Sequence, residues 1–278
     1  MSKRVPLEPV IATELFPDIR VELERVLESL TDDQWEYPTA CTGWAVRDVA
    51  LHLLGTRIGL LSGFRDNDGQ WVKVNSWEEL VTLIDELNAL WVKAARRISR
   101  KLLISLLGFT NEQIITFLNT LDPQAMGGPI GWAGDQPHPI WLHIARELTE
   151  QWAHHQHICD AVGITSLKEA RFVHPVLSTY VRALPQTYHD TAAPNHTLVK
   201  LVVTGEGGGV WHLVREAEKW VLYAETDLSP TATISMDVDT AWRMFTKGLE
   251  AETIRQRADF EGDRALAEVM LGTVAIIG

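Results

Sequence analysis

The chain has 278 residues, of which 46% are hydrophobic and 22% charged, the composition of a soluble globular protein long enough for two domains. No apolar run is long enough to span a bilayer, and a formal charge of −12 argues against nucleic acid or an anionic membrane as partner, so small molecules are the expected ligands. The opening MSKRVPLEPVIATELF has basic residues but no apolar core or cleavage signal, which predicts a cytoplasmic protein, and the two cysteines, Cys41 and Cys159, suggest no disulfide.

Residues 8–30 predict an amphipathic helix, kinked or begun late at Pro17, with Leu15, Phe16, Ile19, Leu23, Val26, Leu27 and Leu30 apolar. A polar connection ending in PTACTG leads to a second helix from Trp44, N-capped by Thr42, with Val46, Val49, Leu53 and Ile58 apolar and His52 at its middle. A loop at 67–69 and a cap at Ser76 introduce a third helix, and residues 101–121 give a fourth, interrupted by Gly108. The Gly- and Pro-rich stretch 122–139 reads as an ordered loop delivering the chain to the helix that follows. For residues 1–165 a four-helix bundle with one accessory segment is the economical packing.

Beyond Gly163 the pattern changes. Phe172 to Leu184 predicts a helix in which Pro175 is tolerated only within the first turn. His196–Thr204, Val210–Arg215, Trp220–Tyr223 and Thr231–Met236 predict strands, and Thr240–Thr246 and Gly262–Leu271 predict short helices. This order of elements fits a mixed α+β domain over residues 166–278. Gly205 to Gly209 lies between two strand patterns without a following helix or Lys-Ser/Thr pair, so it predicts a hairpin turn and not a phosphate cradle.

The helix from Ile140 to Gly163 is the most informative stretch. Trp141, Ile144, Leu148, Trp152, Cys159 and Val162 gather on one apolar arc, while Arg146, Thr149, Ala153, Gln156 and Asp160 read as a solvent face. Between them, His143, Glu147, Glu150, His154 and His157 follow one another at spacings of three and four, a single longitudinal band. Within that band Glu150 and His154 form an i, i+4 pair able to give two ligands to one divalent metal; the bland alternative is a partly exposed electrostatic pair.

Two segments carry a resemblance. They are PTACTGWAVRDVALHL, residues 38–53, and RELTEQWAH, residues 146–154, running on to DAVG at 160–163. They look like the mycothiol-dependent maleylpyruvate isomerase family, whose N-terminal half is a DinB-like metal-binding helical bundle. The tracts 231–248 and 261–267 are similar to the sterol-carrier-like domain that follows the bundle in such proteins. The fold implied is a DinB-like four-helix bundle over 1–165 followed by a small α+β sterol-carrier-like domain over 166–278. The resemblance also implies a metal held by His52, Glu150 and His154, which adds a third ligand to the pair that spacing nominates.

Two His and one carboxylate leave coordination positions open, the catalytic arrangement; zinc is the first choice, with nickel or iron acceptable to the same donors. The resemblance implies a low-molecular-weight thiol cofactor such as mycothiol, activated as a metal-bound thiolate for isomerisation of, or S-transfer to, a small electrophilic substrate. A non-catalytic metal-binding carrier or sensor of an apolar ligand is the competing reading, and a metal-free bundle a third. Asp48 could hold the distal nitrogen of His52, or pair with Arg47 at the surface. His155 reads as a buried, hydrogen-bonded histidine, while His143, Glu147 and His157 read as polar lining or exposed groups. Cys41 reads as a small buried group, with a thiol near the metal as the alternative. Arg243 is the candidate for binding a substrate carboxylate, against a surface ion pair with Asp237 or Asp239. Bundles of this kind are often dimeric, and no decisive apolar patch settles whether a homodimer forms here.

Overall fold

A computed structural model of the chain describes residues 3–69, 72, 74 and 76–275, without the Trp77 side chain; Met1 and Ser2 of the opening segment lie outside the described residues. In chain order the elements are β1 (Arg4–Pro6), α1 (Phe16–Ser29), α2 (Val46–Leu60), α3 (Trp77–Ala95), α4 (Arg100–Leu118), β2 (Met126–Ile130), β3 (Gly134–Pro139), α5 (Ile140–Val162), α6 (Ala170–Tyr180), α7 (Leu184–Thr187), β4 (Leu198–Thr204), β5 (Gly209–Glu216), β6 (Lys219–Thr226), β7 (Ala232–Asp237), α8 (Val238–Phe245), α9 (Ala251–Arg257), β8 (Asp259–Gly262) and α10 (Arg264–Glu268). Two compact units result: a helical one from Ala12–Pro123 and Glu147–Leu167, and a sheet-bearing one from Met1–Ile11, Gln124–Arg146 and Lys168–Ile276.

In the helical unit, α1 begins at Phe16 because Pro17 falls in its first turn, where the missing N–H has no helical partner to lose. It buries Phe16, Ile19, Leu23, Val26 and Leu27. The cap expected from Thr42 is displaced to Ala45. There the Asp48 carboxylate, three residues into α2, accepts the Ala45 N–H at 3.1 Å, half of a capping box that does not depend on a hydroxyl at the first position. The caps of α3 and α4 are hydroxyls: Ser76 Oγ accepts from Glu79 N–H at 3.1 Å and Ser99 Oγ from Leu102 N–H at 3.3 Å. Leu23, Val26 and Leu27 of α1 share one core with Val49, Leu53 and Leu54 of α2, Leu103 and Leu107 of α4, and Ile158 and Cys159 of α5. Gly55 permits the closest approach, since a Cβ there would stand 2.5 Å from Trp91 Nε1, which donates to Leu51 O at 2.7 Å.

The α5 face read as solvent-exposed is not exposed: Thr149, Ala153 and Gln156 are buried, and of that arc Asp160 alone is exposed. The cause is the short return that follows α5. Trp152 Nε1 donates to Leu167 O at 2.7 Å, Gln156 Nε2 donates to Ser166 O at 3.0 Å, and His155 Nε2 lies 2.8 Å from Ser166 Oγ. A helix covered on every side buries polar residues only where such partners meet them.

The sheet-bearing unit holds a six-stranded sheet in the order β1-β6-β5-β4-β7-β8, with β4 and β7 parallel and the other pairs antiparallel. The four expected strands are its centre, and 205–208 is the hairpin turn between β4 and β5, with Gly205 and Gly207 at φ +105° and +79°. Among the elements that escaped the sequence reading are β1 and β8, which form the two edges, and α9. The stretch 122–139 is not a loop but a hairpin, β2 with β3, whose Pro129–Pro137 pairing cannot donate ladder bonds and so gives no strand signature. Pro175 is the sixth residue of α6 and not in its first turn. The helix continues past it because φ of proline is already helical and only one backbone donor is lost. Below α6 and α8 the core gathers Tyr180 against Phe245, ring centroids 5.7 Å apart, and Tyr188, whose hydroxyl donates to Leu266 O at 2.9 Å. Among the described residues no helix is long and apolar enough to cross a membrane.

Candidate functional site

Within the helical unit, α2 presents His52 and α5 presents Glu150 and His154 to one another. Glu150 Oε1 lies 2.9 Å from His52 Nε2 and 3.2 Å from His154 Nε2, and the two imidazole rings stand 4.6 Å apart at 65°. One donor atom from each of the three residues falls within 4.8 Å of the others. His52 and His154 are buried and Glu150 is partly exposed, so the carboxylate is the edge of the group nearest solvent. Trp44, at the approach to α2, holds its ring 5.0 Å from that of His52.

The electrostatics follow from this packing. Burial alone would raise the Glu150 carboxyl, but the charge and hydrogen bonds of His154 and His52 hold it well below the carboxylate range. Burial opposes protonation of His154, and the Glu150 carboxylate outweighs it and raises that imidazole above its ordinary value. His52 is lowered, with burial the larger influence over its bond to Glu150. The Glu150 carboxylate thus favours positive charge beside it, and favours it on His154 more than on His52.

The surroundings differ from expectation at several residues. Asp48 neither holds His52 nor pairs with Arg47: its two oxygens take the Arg96 fork at 2.8 Å each, and one caps α2. Long-range demand for a fork partner wins over the i, i+4 proximity of His52, whose Nδ1 meets no hydrogen-bond partner among the described residues. His155 is fully buried, 2.8 Å from Ser166 Oγ and 3.3 Å from Cys159 Sγ, and burial lowers it to about 4. Cys41 is nearer the group than a filler residue would be: its Sγ lies 3.3 Å from His157 Nδ1 and 3.8 Å from His154 Nδ1. His157 is buried, and its Nδ1 lies 3.4 Å from His154 Nδ1. The i, i+3 spacing of His154 and His157 was the available signal for this; nothing in the spacing of Cys41 announced it. His143, in the sheet-bearing unit, has Nε2 3.1 Å from Gly128 O. In the same unit Arg243 donates Nε to Asp239 Oδ2 at 2.9 Å and lies over the Trp242 ring at 4.4 Å.

The described donors fit a divalent cation in kind and spacing, being two imidazoles and a carboxylate from two rigid helices. Comparison with known proteins adds the lineage. No curated protein matches the chain in sequence. Two solved structures share its fold at a TM-score of 0.50, the mycothiol-dependent maleylpyruvate isomerase at 12% identity and a single-residue mutant of that isomerase at 11%, each match covering 84% of this chain and 86% of the other. Residues 16–159, which include α1, α2 and the three clustered donors, match the model of the mycothiol maleylpyruvate isomerase N-terminal domain, and this chain belongs to that family.

Proposed function

We propose that this protein is a cation-dependent enzyme that activates a low-molecular-weight thiol, mycothiol first among them, for isomerisation of, or S-transfer to, a small electrophilic substrate. The observation that carries this reading is the convergence of His52, Glu150 and His154 within 4.8 Å, in a chain of this family. The helical unit is read as a DinB-like four-helix bundle of α1, α2, α4 and α5, and the other unit as sterol-carrier-like.

His52 Nε2, Glu150 Oε1 and His154 Nε2 would hold the ion, zinc first and nickel or iron next, with open positions left by only three protein donors. When bound, a divalent ion supplies the charge that lets a thiol lose its proton near neutral pH. Before an ion arrives, Glu150 orients both imidazoles through Oε1, and the Trp44 ring packs beside His52. A thiol activated in this way would supply the nucleophile for an electrophilic carbon, leaving again by elimination after bond rotation in isomerisation and staying attached, with a proton taken up from solvent, in S-transfer.

The test is elemental analysis of the purified protein joined to calorimetric titration with several biological thiols. Thiol affinity is expected to require the ion and to vanish in His52→Ala. Retention of thiol affinity in that variant would sink the proposal. Because a proton resides on His154 without the ion, binding must expel it, so apparent cation affinity is expected to rise with pH, by up to about tenfold per unit.

A second reading rests on a different observation. The sheet-bearing unit has a cavity of 380 Å³ lined by Leu7, Val10, His174, Pro175, Val210 and Trp211, of a size for a small apolar ligand. A carrier using it would bind lipid probes with or without metal.

A further inference from the structure

The His154 imidazole faces two sets of donors with its two nitrogens. Nε2 serves Glu150 and His52; Nδ1 looks the other way, onto Cys41 and His157. In this second set Cys41 Sγ, His157 Nδ1 and His154 Nδ1 again lie within 4.8 Å of one another. The separations are 3.3 Å for Cys41 to His157, 3.8 Å for Cys41 to His154, and 3.4 Å between the imidazole nitrogens. Around a tetrahedral zinc-like ion, with metal–nitrogen near 2.0 Å and metal–sulfur near 2.3 Å, nitrogens sit about 3.3 Å apart and sulfur about 3.6 Å from nitrogen. The observed triangle is therefore the one an ion of that size would span, and its donors are softer than those of the first set.

The backbone holds this triangle rigidly. His154 and His157 stand one turn apart on α5 and are both buried. Cys41 sits in the turn before α2, fixed by Trp44 N–H to Cys41 O at 2.9 Å and by its own N–H to Thr39 Oγ1 at 3.2 Å, and is the partly exposed member through which solvent reaches the group.

We propose that Cys41, His157 and His154 form a second cation position, selective for a borderline or soft divalent ion such as zinc, placed back to back with the first across the His154 ring. Loading it would release the thiol proton of Cys41 and the Nδ1 proton of His154 to solvent and use one lone pair of each imidazole. With both positions filled, His154 would lose its remaining ring proton to solvent and offer one nitrogen to each ion, so that the added thiolate and imidazolate charges would partly offset those of the incoming ions. Cys41 and His157 belong to this position alone, and it stands whether or not the first is catalytic.

The test uses the full chain, stripped of metal and of all small thiols, titrated with Co(II) alone. A near-ultraviolet thiolate-to-cobalt charge-transfer band is expected, with two ions bound per chain. Cys41→Ser is expected to abolish the band and leave one ion, and His157→Ala to weaken the band at least tenfold in cobalt affinity. His52→Ala should lose one ion and keep the band. Absence of the band in the wild type, or its persistence in Cys41→Ser, overturns the proposal. One ion with a band that survives His52→Ala upholds it while removing the reading of the preceding section; one ion without a band does the reverse. Should Cys41→Ser not fold, alkylation of the wild type decides: Cys41 is expected to be shielded from iodoacetamide by Co(II), and equal labelling with and without cobalt refutes the site.

Discussion

The two units bury different chemistry. Among the described residues, the helical unit buries Asp48, His52, Arg57, Asn111, His154, His155 and His157, whereas the buried polar side chains of the sheet-bearing unit are all hydroxyls, from Ser178 to Thr273. Three of these hydroxyls settle their needs locally: Thr179 donates to Pro175 O at 2.8 Å, Thr246 to Trp242 O at 3.0 Å and Thr273 to Met270 O at 2.7 Å. A buried ion or imidazole draws in addition on distant partners, as Asp48 does on Arg96 and as Arg57, which also donates to Leu53 O on its own helix, does on Asn111. Such groups add little stability that well-packed apolar residues would not add more cheaply. Their concentration in one unit is the contrast on which the proposed site rests.

That contrast can be broken experimentally. The largest effect belongs to His52→Ala or Glu150→Gln, expected to lose the first-position cation entirely while the far-ultraviolet dichroism of the sheet is kept; an unchanged cation content by elemental analysis would erase the distinction between the units. Next comes Phe245→Ala in the sheet-bearing unit, fully buried against Tyr180, expected to cost about 3–5 kcal/mol in denaturant unfolding with cation per folded chain unchanged. A parallel fall in bound cation would show that the two chemistries are not separable.

Asp48→Asn sharpens the division inside the helical unit. Because Asp48 serves Arg96 and the start of α2, the change is expected to cost about 1–3 kcal/mol and to leave cation affinity intact. A tenfold or greater loss of affinity would restore Asp48 as a support of His52. The smallest effect is a pH dependence. The hydrogen bond from Arg25, helped by Ser166, holds Glu22 at about 2 against an ordinary 4.5. A depressed carboxyl contributes stability that is present above 4.5 and lost as pH falls towards 2. Glu22→Gln should flatten the acid limb of the stability curve in that window, and an unaltered limb would deny the pair any role.

How much of this could be read from residues alone depended on the range of the interaction involved. Helices with local caps and regular apolar spacing were legible, as were β4 to β7, whose β-branched runs are bounded by turns. Edge strands were not: β1 is three residues long and is a strand only because β6 lies beside it, and β8 has the sequence DFEG, with no alternation to see. The hairpin of 126–139 was hidden by its glycines and prolines. At the site, the Glu150–His154 pair was visible because helix spacing brings it together, and His52 was named by resemblance. Cys41 and the reassignment of Asp48 depend on contacts between residues 48 to 116 positions apart, for which no local pattern exists.

The edge strand β1 has a consequence for how the protein is made. Its neighbour Lys3 meets Glu225, 222 positions later in the chain. At translation rates of about 5–20 residues per second, β1 is made roughly 10–45 s before the strand it will pair with. During synthesis the helical segments emerge in that interval, so the sheet is closed at this margin by a segment that has been exposed to the cell longer than any other part of it.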